Sequence, residues 1–448
     1  MSQDALKTVF DRIEGLQQQV VEDLHRLVAI PSISGHGDAC GDAAAATAEL
    51  CVAAGFSTEV WTGPGAPTVF AEIPAPSGKP TVLFYGHYDV QPVEPLDAWT
   101  TPPFEPTIRD GALFGRGAGD NKGQFLAHIA AVKALEETIG CPLGVKLLIE
   151  GEEEMGSPHL DGLVASNTDR LACDLTITAD GPYHTDGNPL IIFGVRGLLF
   201  MDVAIDGAPH DLHSGSNGGI APAPARQLVG ALAAMWNEDG SVAIPGFYED
   251  IVAPTSTERR LAARLPNPQR ARPDDAAGPS STAPWHRLMF EPNLNIAGLA
   301  SGYDGTGVKT VIPHRAAAKI DVRLVGDQDP DKVYASLRRF LEERGVRVSR
   351  RAAVPPSRTP IDTPFSAPVQ RAVEASWNIR PWLQPRLGGT TPDFVFTRTL
   401  AVPSLLVPYA PADMRHHAAD EHLPLEALHR GVRTSAAICL ELSALPSP

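Results

Sequence analysis

His87 and Asp89 stand two residues apart in Thr81–Pro92, TVLFYGHYDVQP, directly after an apolar run. In an extended chain alternate side chains share a face, so this pair can point at one spot. An imidazole oriented by a nearby carboxylate is a common way to prepare a metal ligand. A His-x-Asp pair also occurs in surface turns, so its meaning depends on the residues that join it. Asp120 lies in a glycine-rich turn, GRGAGDNKG (Gly115–Gly123), ahead of a helical stretch. Such turns can cradle phosphate, but this one lacks the GxxxxGK[ST] spacing and puts a carboxylate where a phosphate would be repelled. A plain helix N-cap is the other reading of that aspartate. Glu150, Glu152, Glu153 and Glu154 crowd the end of an apolar strand, and a bound cation would relieve their mutual repulsion. Asp180 closes a further apolar run in TADGP, and His417 lies in APADMRHHAADEH.

Imidazoles and carboxylates without thiolates suit zinc, or otherwise manganese or cobalt. Five ligands exceed what one tetrahedral ion with an open position needs. Sharing one carboxylate makes them enough for two ions roughly 3.5–4 Å apart, and a spare glutamate beside a metal-held water is a natural general base.

Positioning these groups falls to a recognisable series of elements. Leu6, Val9, Phe10, Ile13, Leu16, Val20, Leu24, Leu27 and Val28 recur at helical steps, and a second, Ala-rich helix is expected over Asp42–Ala54. Strands are expected at Ser57–Trp61, Thr68–Ile73, Thr81–Tyr85 (with Gly86 as its breaker), Leu113–Arg116, Val145–Ile149 and Leu175–Ala179, with a helix over Gln124–Glu137. This alternation predicts an α/β sheet, mostly parallel, with the acidic and imidazole residues just past its strand ends, where open sheets place their sites. From Gly194 the pattern becomes antiparallel. A helix (Ala223–Trp236), strands at Leu294–Ile296, Lys309–Pro313 and Ala317–Val325, and a helix (Lys332–Arg344) suggest a small α+β domain inserted into the first. Thr255–Ser281, rich in Arg, Pro, Ala and Ser, is expected to be an exposed, mobile excursion. A Pro-rich linker, a helix (Ala367–Trp377), an apolar strand (Val402–Val407) and a last helix (Leu425–Leu442) complete the chain. The expected division is 1–194, an inserted lid or dimerisation domain at 195–356, and 357–448.

The 448 residues exceed one ordinary core. A formal charge of −16 argues against nucleic-acid or anionic-membrane partners. Five cysteines with no CxxC pair fit a reduced, intracellular chain. The charge-interrupted N-terminus resembles no signal peptide, and no run approaches the ~18 apolar residues of a membrane helix. The cytoplasm is the expected location.

GHYDVQP, GRGAGDNKGQ, EGEEEMGS, TADGP, DLHSG and HAADE also resemble, in order, the motifs of the co-catalytic di-zinc exopeptidase and aminoacylase family, nearest its carnosine-type dipeptidase branch. The resemblance implies two divalent ions bridged by Asp120, with His87 and Asp180 completing one site and Glu154 and His417 the other. Asp89 would hold the His87 ring, and Glu153 would be the general base that activates a bridging water. The Asp120–Asn121 peptide would be cis. His213 of DLHSG would reach across a homodimer interface to polarise the scissile carbonyl, and Arg323 would bind a free substrate carboxylate. Thr310, Gly389 and Thr390 would contact the substrate backbone.

The implied activity is amide hydrolysis of a small dipeptide-like substrate. The alternative is an amidohydrolase, deacylase or deaminating hydrolase acting on a non-peptide acid, since the same metals and base serve any such bond. Two departures from the family pattern stand out. Asp420 replaces the usual asparagine before Glu421. His416 beside His417, and Glu152 beside Glu153 and Glu154, leave those assignments open by one position.

Overall fold

The computed structural model describes residues 3–266 and 284–446. They divide into two compact units, one of Met1–Gly194, Arg358–Pro385 and Thr391–Pro448, the other of Val195–Ser357 and Arg386–Thr390.

The first unit is built on an eight-stranded sheet. Its order is Ser57–Trp61, Thr68–Ile73, Gly144–Glu150, Thr81–His87, Leu175–Thr178, Ser404–Leu406, Leu190–Ile192 and Trp382–Gln384. The His87 strand runs parallel to both neighbours, Val82 pairing with Val145 on one side and Leu175 on the other. Its side chains alternate between two apolar layers. Val82 and Phe84 join the core beneath Gln3–Val28, Gly123–Glu136, Ser366–Trp377 and Leu425–Leu442, while Leu83 and Tyr85 pack with Phe70, Leu148, Leu160 and Phe396. Each such side chain removed from water contributes roughly 1.5–3 kcal/mol. This explains the continuous apolar runs, which mark strands covered on both faces.

The second unit is a four-stranded antiparallel sheet in the order Asn293–Ser301, Arg315–Leu324, Gly197–Asp206, Arg347–Val354. Pro224–Ala233 and Pro330–Glu342 cover one face through Leu228, Leu232, Val333, Leu337 and Leu341. A two-residue ladder pairs Leu212–His213 with Val311–Ile312.

Several boundaries differ from expectation. The organising strand does not break at Gly86 but continues to His87. Glycine is needed there because a Cβ would stand 2.7 Å from Phe125 Cβ and 2.8 Å from Asn121 Oδ1. The Ala-rich helix starts at Gly37. The strand expected over Lys309–Pro313 shrinks to Val311–Ile312. Part of the stretch expected to be a mobile excursion is ordered: Ser256–Arg264 is a helix opened by a capping box in which Thr255 Oγ1 and Glu258 bond each other's backbone N–H. The weak apolar periodicity hid a helix that a Thr-x-x-Glu signature announces. Residues 267–281 of that stretch lie outside the described residues. The five cysteines are free thiols. Among the described residues no helix is long and apolar enough to cross a membrane.

Candidate metal centre

His87 ends its strand inside the protein, 1% exposed, with Nε2 3.2 Å from Asp120 Oδ1. Its Nδ1 donates to the Asp89 carbonyl at 3.0 Å, with the Asp89 carboxylate 3.5 Å away, so the ring is fixed from behind. Asp120 arrives on the glycine-rich turn, where close packing leaves no room for side chains: a Cβ on Gly119 would meet Met414 Sδ at 2.8 Å. The Asp120–Asn121 peptide is cis. Asn121 then ties three pieces together. Its Oδ1 accepts from the His87 N–H (3.3 Å), and its Nδ2 donates to the Ala179 carbonyl (2.7 Å) and to Asp180 Oδ1 (3.2 Å).

The glutamates sit on a short turn just past their strand, and Asp89 grips that turn. Its two carboxylate oxygens accept from the Glu153 N–H (3.2 Å) and the Glu154 N–H (3.1 Å), and Ser34 Oγ adds a third bond at 2.8 Å. Glu153 Oε2 lies 4.0 Å from His87 Nε2. Glu154 Oε2 lies 3.2 Å from His417 Nε2 and accepts from Gln91 Nε2. Glu152 faces elsewhere, paired with His159 at 2.7 Å. Glu150 is buried and accepts from Tyr85 Oη and Ser157 Oγ, and burial pushes its pKa up to about 7.

The loop after Ala410 brings two imidazoles to Asp120 Oδ2, His416 Nε2 at 2.6 Å and His417 Nε2 at 3.1 Å. Glu421 closes the loop from below, accepting from Arg116 Nη1 (2.7 Å) and from the N–H groups of Gly117, Gly119 and Asp120. Asp420 accepts from the Thr100 N–H and Oγ1 at 2.8 and 2.7 Å. These carboxylates hold the two ends of the centre together.

Two groups of ligand-type atoms each lie within 4.8 Å of one another: His87, Asp120 and Asp180, and Asp120, His416 and His417. Asp120 belongs to both. His87 Nε2 and Asp120 Oδ2 are sealed from water yet make no well-aligned hydrogen bond. Donor atoms that crowd together without hydrogen-bond alignment could hold a common cation. The electrostatics agree. Burial would raise Asp120, but the imidazoles of His416, His417 and His87 hold its carboxyl well below the usual carboxylate range. Asp120 and Glu154 together raise His417 to about 10. Burial pushes Glu153 well up, helped by Asp180, Glu154 and Asp120 and opposed by His87. Burial and then Asp120 raise Asp180. The donor set of imidazoles and carboxylates therefore fits divalent cations.

In the second unit, His213 is exposed. Its Nδ1 accepts from the Gly215 N–H (3.0 Å) and its Nε2 lies 3.4 Å from Thr310 Oγ1. Arg323 donates to Thr390 Oγ1 at 3.0 Å and pairs with Asp321 at 3.2 Å. Gly389 accepts through its carbonyl from the Arg196 N–H. So the expected residues gather as His213 with Thr310, and as Arg323 with Thr390 and Gly389. Sequence reasoning missed Asn121, Arg116 and Glu421 as supports of the centre. Glu421 was legible only as a motif letter, because its partners are backbone N–H groups far away in sequence.

A model of peptidase family M20/M25/M40 matches residues 83–441. The human Beta-Ala-His dipeptidase is 31% identical over 405 residues, which cover 85% of this chain and 78% of that protein. The Cys-Gly metallodipeptidase of Schizosaccharomyces pombe is 27% identical, over 85% of this chain and 83% of its own. Among solved structures, an M20 family metallo-carboxypeptidase from Sulfolobus solfataricus has a TM-score of 0.88 at 30% identity, covering 95% of this chain and 99% of its own.

Proposed function

The chain belongs to peptidase family M20/M25/M40, and from that premise we propose that it is a metal-dependent dipeptidase with a pair of zinc ions. Asp120 would be shared by both ions, with His87 and Asp180 completing one site and Glu154 and His417 the other. The observation that carries this reading is the membership of Asp120 in both ligand groups, its two oxygens turned to different imidazoles. When bound, the cations would polarise the scissile carbonyl and acidify the attacking water. Glu153 takes the proton from that water and passes it to the leaving amine, and its burial-raised pKa suits a carboxylate that must hold a proton between the two steps. Asp89 positions His87, Glu153 and Glu154 together.

The small dipeptides named for the human and yeast relatives support a dipeptide substrate here. Arg323 would pair with its free carboxylate, and Thr310, Gly389 and Thr390 would contact its backbone. His213 would polarise the carbonyl from the other subunit of a homodimer formed through an inserted domain at 195–356. Compact units that part at Gly194 and again at Ser357 support that insertion.

The test is chelation followed by zinc or manganese, assayed on dipeptides beside N-acyl amino acids and aromatic amines. Dipeptide hydrolysis that vanishes and returns with metal is expected. Full activity in protein free of transition metal, or hydrolysis confined to the non-peptide substrates, would overturn the proposal.

A further inference from the structure

Arg196 precedes the Gly197–Asp206 strand and is 6% exposed. Its Nε donates to the Gly388 carbonyl at 2.8 Å, and its own N–H bonds the Leu387 and Gly389 carbonyls. Among the described residues its Nη1 and Nη2 donate to no protein atom, and no carboxylate forms an ion pair with it. The side chain instead lines a cleft of about 260 Å³ shared with Arg287, Leu288, Glu291, Pro292 and Asn293. Glu291 is already engaged, by His286 at 3.3 Å and Arg287 at 3.8 Å. A guanidinium taken so far out of water with no carboxylate in contact is costly. That cost shows as a pKa lowered to about 10, by burial first and by the charge of Arg323 next, with Asp321 opposing.

The cleft adjoins Arg323. Leu198 and Asn293 are the two cross-strand partners of Arg323, and Gly197 faces Leu324. Arg196 and Arg323 therefore flank one segment, Gly388–Thr390, the first holding Gly388 and the second Thr390.

We propose that Arg196 is a specificity-determining residue whose free fork binds a second carboxylate on the substrate, so that the favoured dipeptides end in aspartate or glutamate. The inference rests on the reading of Arg323 as the partner of the terminal carboxylate. Arg323 would take the α-carboxylate and Arg196 the side-chain carboxylate of the same residue. Paired guanidinium–carboxylate contacts supply both affinity and geometry. A neutral isostere would leave the Arg196 fork unpaired in a dehydrated site.

The experiment compares kcat/KM for Ala-Glu and Ala-Gln in the metal-loaded wild type, Arg196→Met and Arg196→Lys. Wild type should favour Ala-Glu by about 10-fold or more, and Arg196→Met should lower that ratio by roughly 10- to 100-fold, with Arg196→Lys between. In wild type alone, glutarate should inhibit at least about tenfold more tightly than its monoamide, a readout independent of whether the variants fold. A wild-type ratio at or below one, a ratio unchanged in Arg196→Met, or equal inhibition by the two acids would overturn the proposal and leave Arg196 as an anchor for Gly388. Arg323→Met separates the underlying reading: it should depress both dipeptides alike and spare the ratio. If instead it leaves both at wild-type rates while Arg196→Met still shifts the ratio, the Arg323 assignment alone fails.

Discussion

The carboxylate of Glu421 accepts a hydrogen bond from the backbone N–H of Asp120 at 3.0 Å, across 301 residues of sequence. The same side chain binds the N–H groups of Gly117 and Gly119 and the buried guanidinium of Arg116. One acidic residue thus fixes the turn that presents Asp120. Glu421→Ala should cost about 3–5 kcal/mol by leaving a buried charge and three N–H groups unpaired, and should loosen metal binding as well. Glu421→Gln, which keeps an acceptor oxygen, should lose less. Urea unfolding and metal titration of both variants check this, and an Ala variant as stable as wild type would contradict it.

His416 and His417 both reach Asp120 Oδ2, but only His417 also meets Glu154. His417→Ala should therefore lose one equivalent of bound metal. His416→Ala should keep both and show a smaller loss of activity. Elemental analysis of the two purified variants decides the matter, and the reverse pattern would move the ligand assignment by one residue.

Glu153 is proposed to move a proton and not to hold a metal. Glu153→Gln should keep its metal content while kcat falls by about 10²- to 10⁴-fold. A variant that turns over like wild type would return the base role to another carboxylate.

If His213 serves the neighbouring subunit, His213→Ala and Glu153→Gln proteins, each nearly inactive, should regain activity when dissociated and reassembled together. Mixed subunits pair an intact His213 from one chain with an intact Glu153 from the other. Absence of any rescue in a confirmed mixed dimer would place His213 in its own subunit's chemistry.

His128 is fully buried, stacked on Phe84 at 4.2 Å between ring centroids, with Nδ1 2.9 Å from Ser435 Oγ. Burial pushes its pKa down from the ordinary imidazole range to about 3. A base whose folded value is depressed stabilises the protein above its unfolded value. That contribution is lost as pH falls from about 6.5 toward about 3, by up to ~1.4 kcal/mol per pH unit. His128→Phe should flatten this part of the stability profile. Unfolding of the metal-free protein at about pH 6.5 and about pH 4.5 measures it, and identical slopes would locate the acid sensitivity elsewhere.

Much of the residue cluster was legible because the candidate ligands follow apolar runs. Thr81–Tyr85 and Val145–Ile149 read as buried strands, so His87 and the glutamate turn could be placed at their ends. Gly86 misled, since its role is to admit Asn121 and not to end a strand. Leu190–Ile192 and Trp382–Gln384 escaped notice because three-residue strands carry no periodicity, and they pair only through distant register. Asp89 was read as the holder of His87; that its carboxylate also grips Glu153 and Glu154 depends on backbone N–H groups, which no sequence pattern displays.

During synthesis on the ribosome, His87, Asp120 and Asp180 emerge well before His416, His417 and Glu421. A growing polypeptide thus carries His87, Asp120 and Asp180 through the whole translation of residues 195–357, without His416, His417 or the clamp beneath Asp120. An ion captured at that stage would occupy a site unable to attack peptides. The Asp120, His416 and His417 group can assemble only once the His416–Glu421 loop has been made.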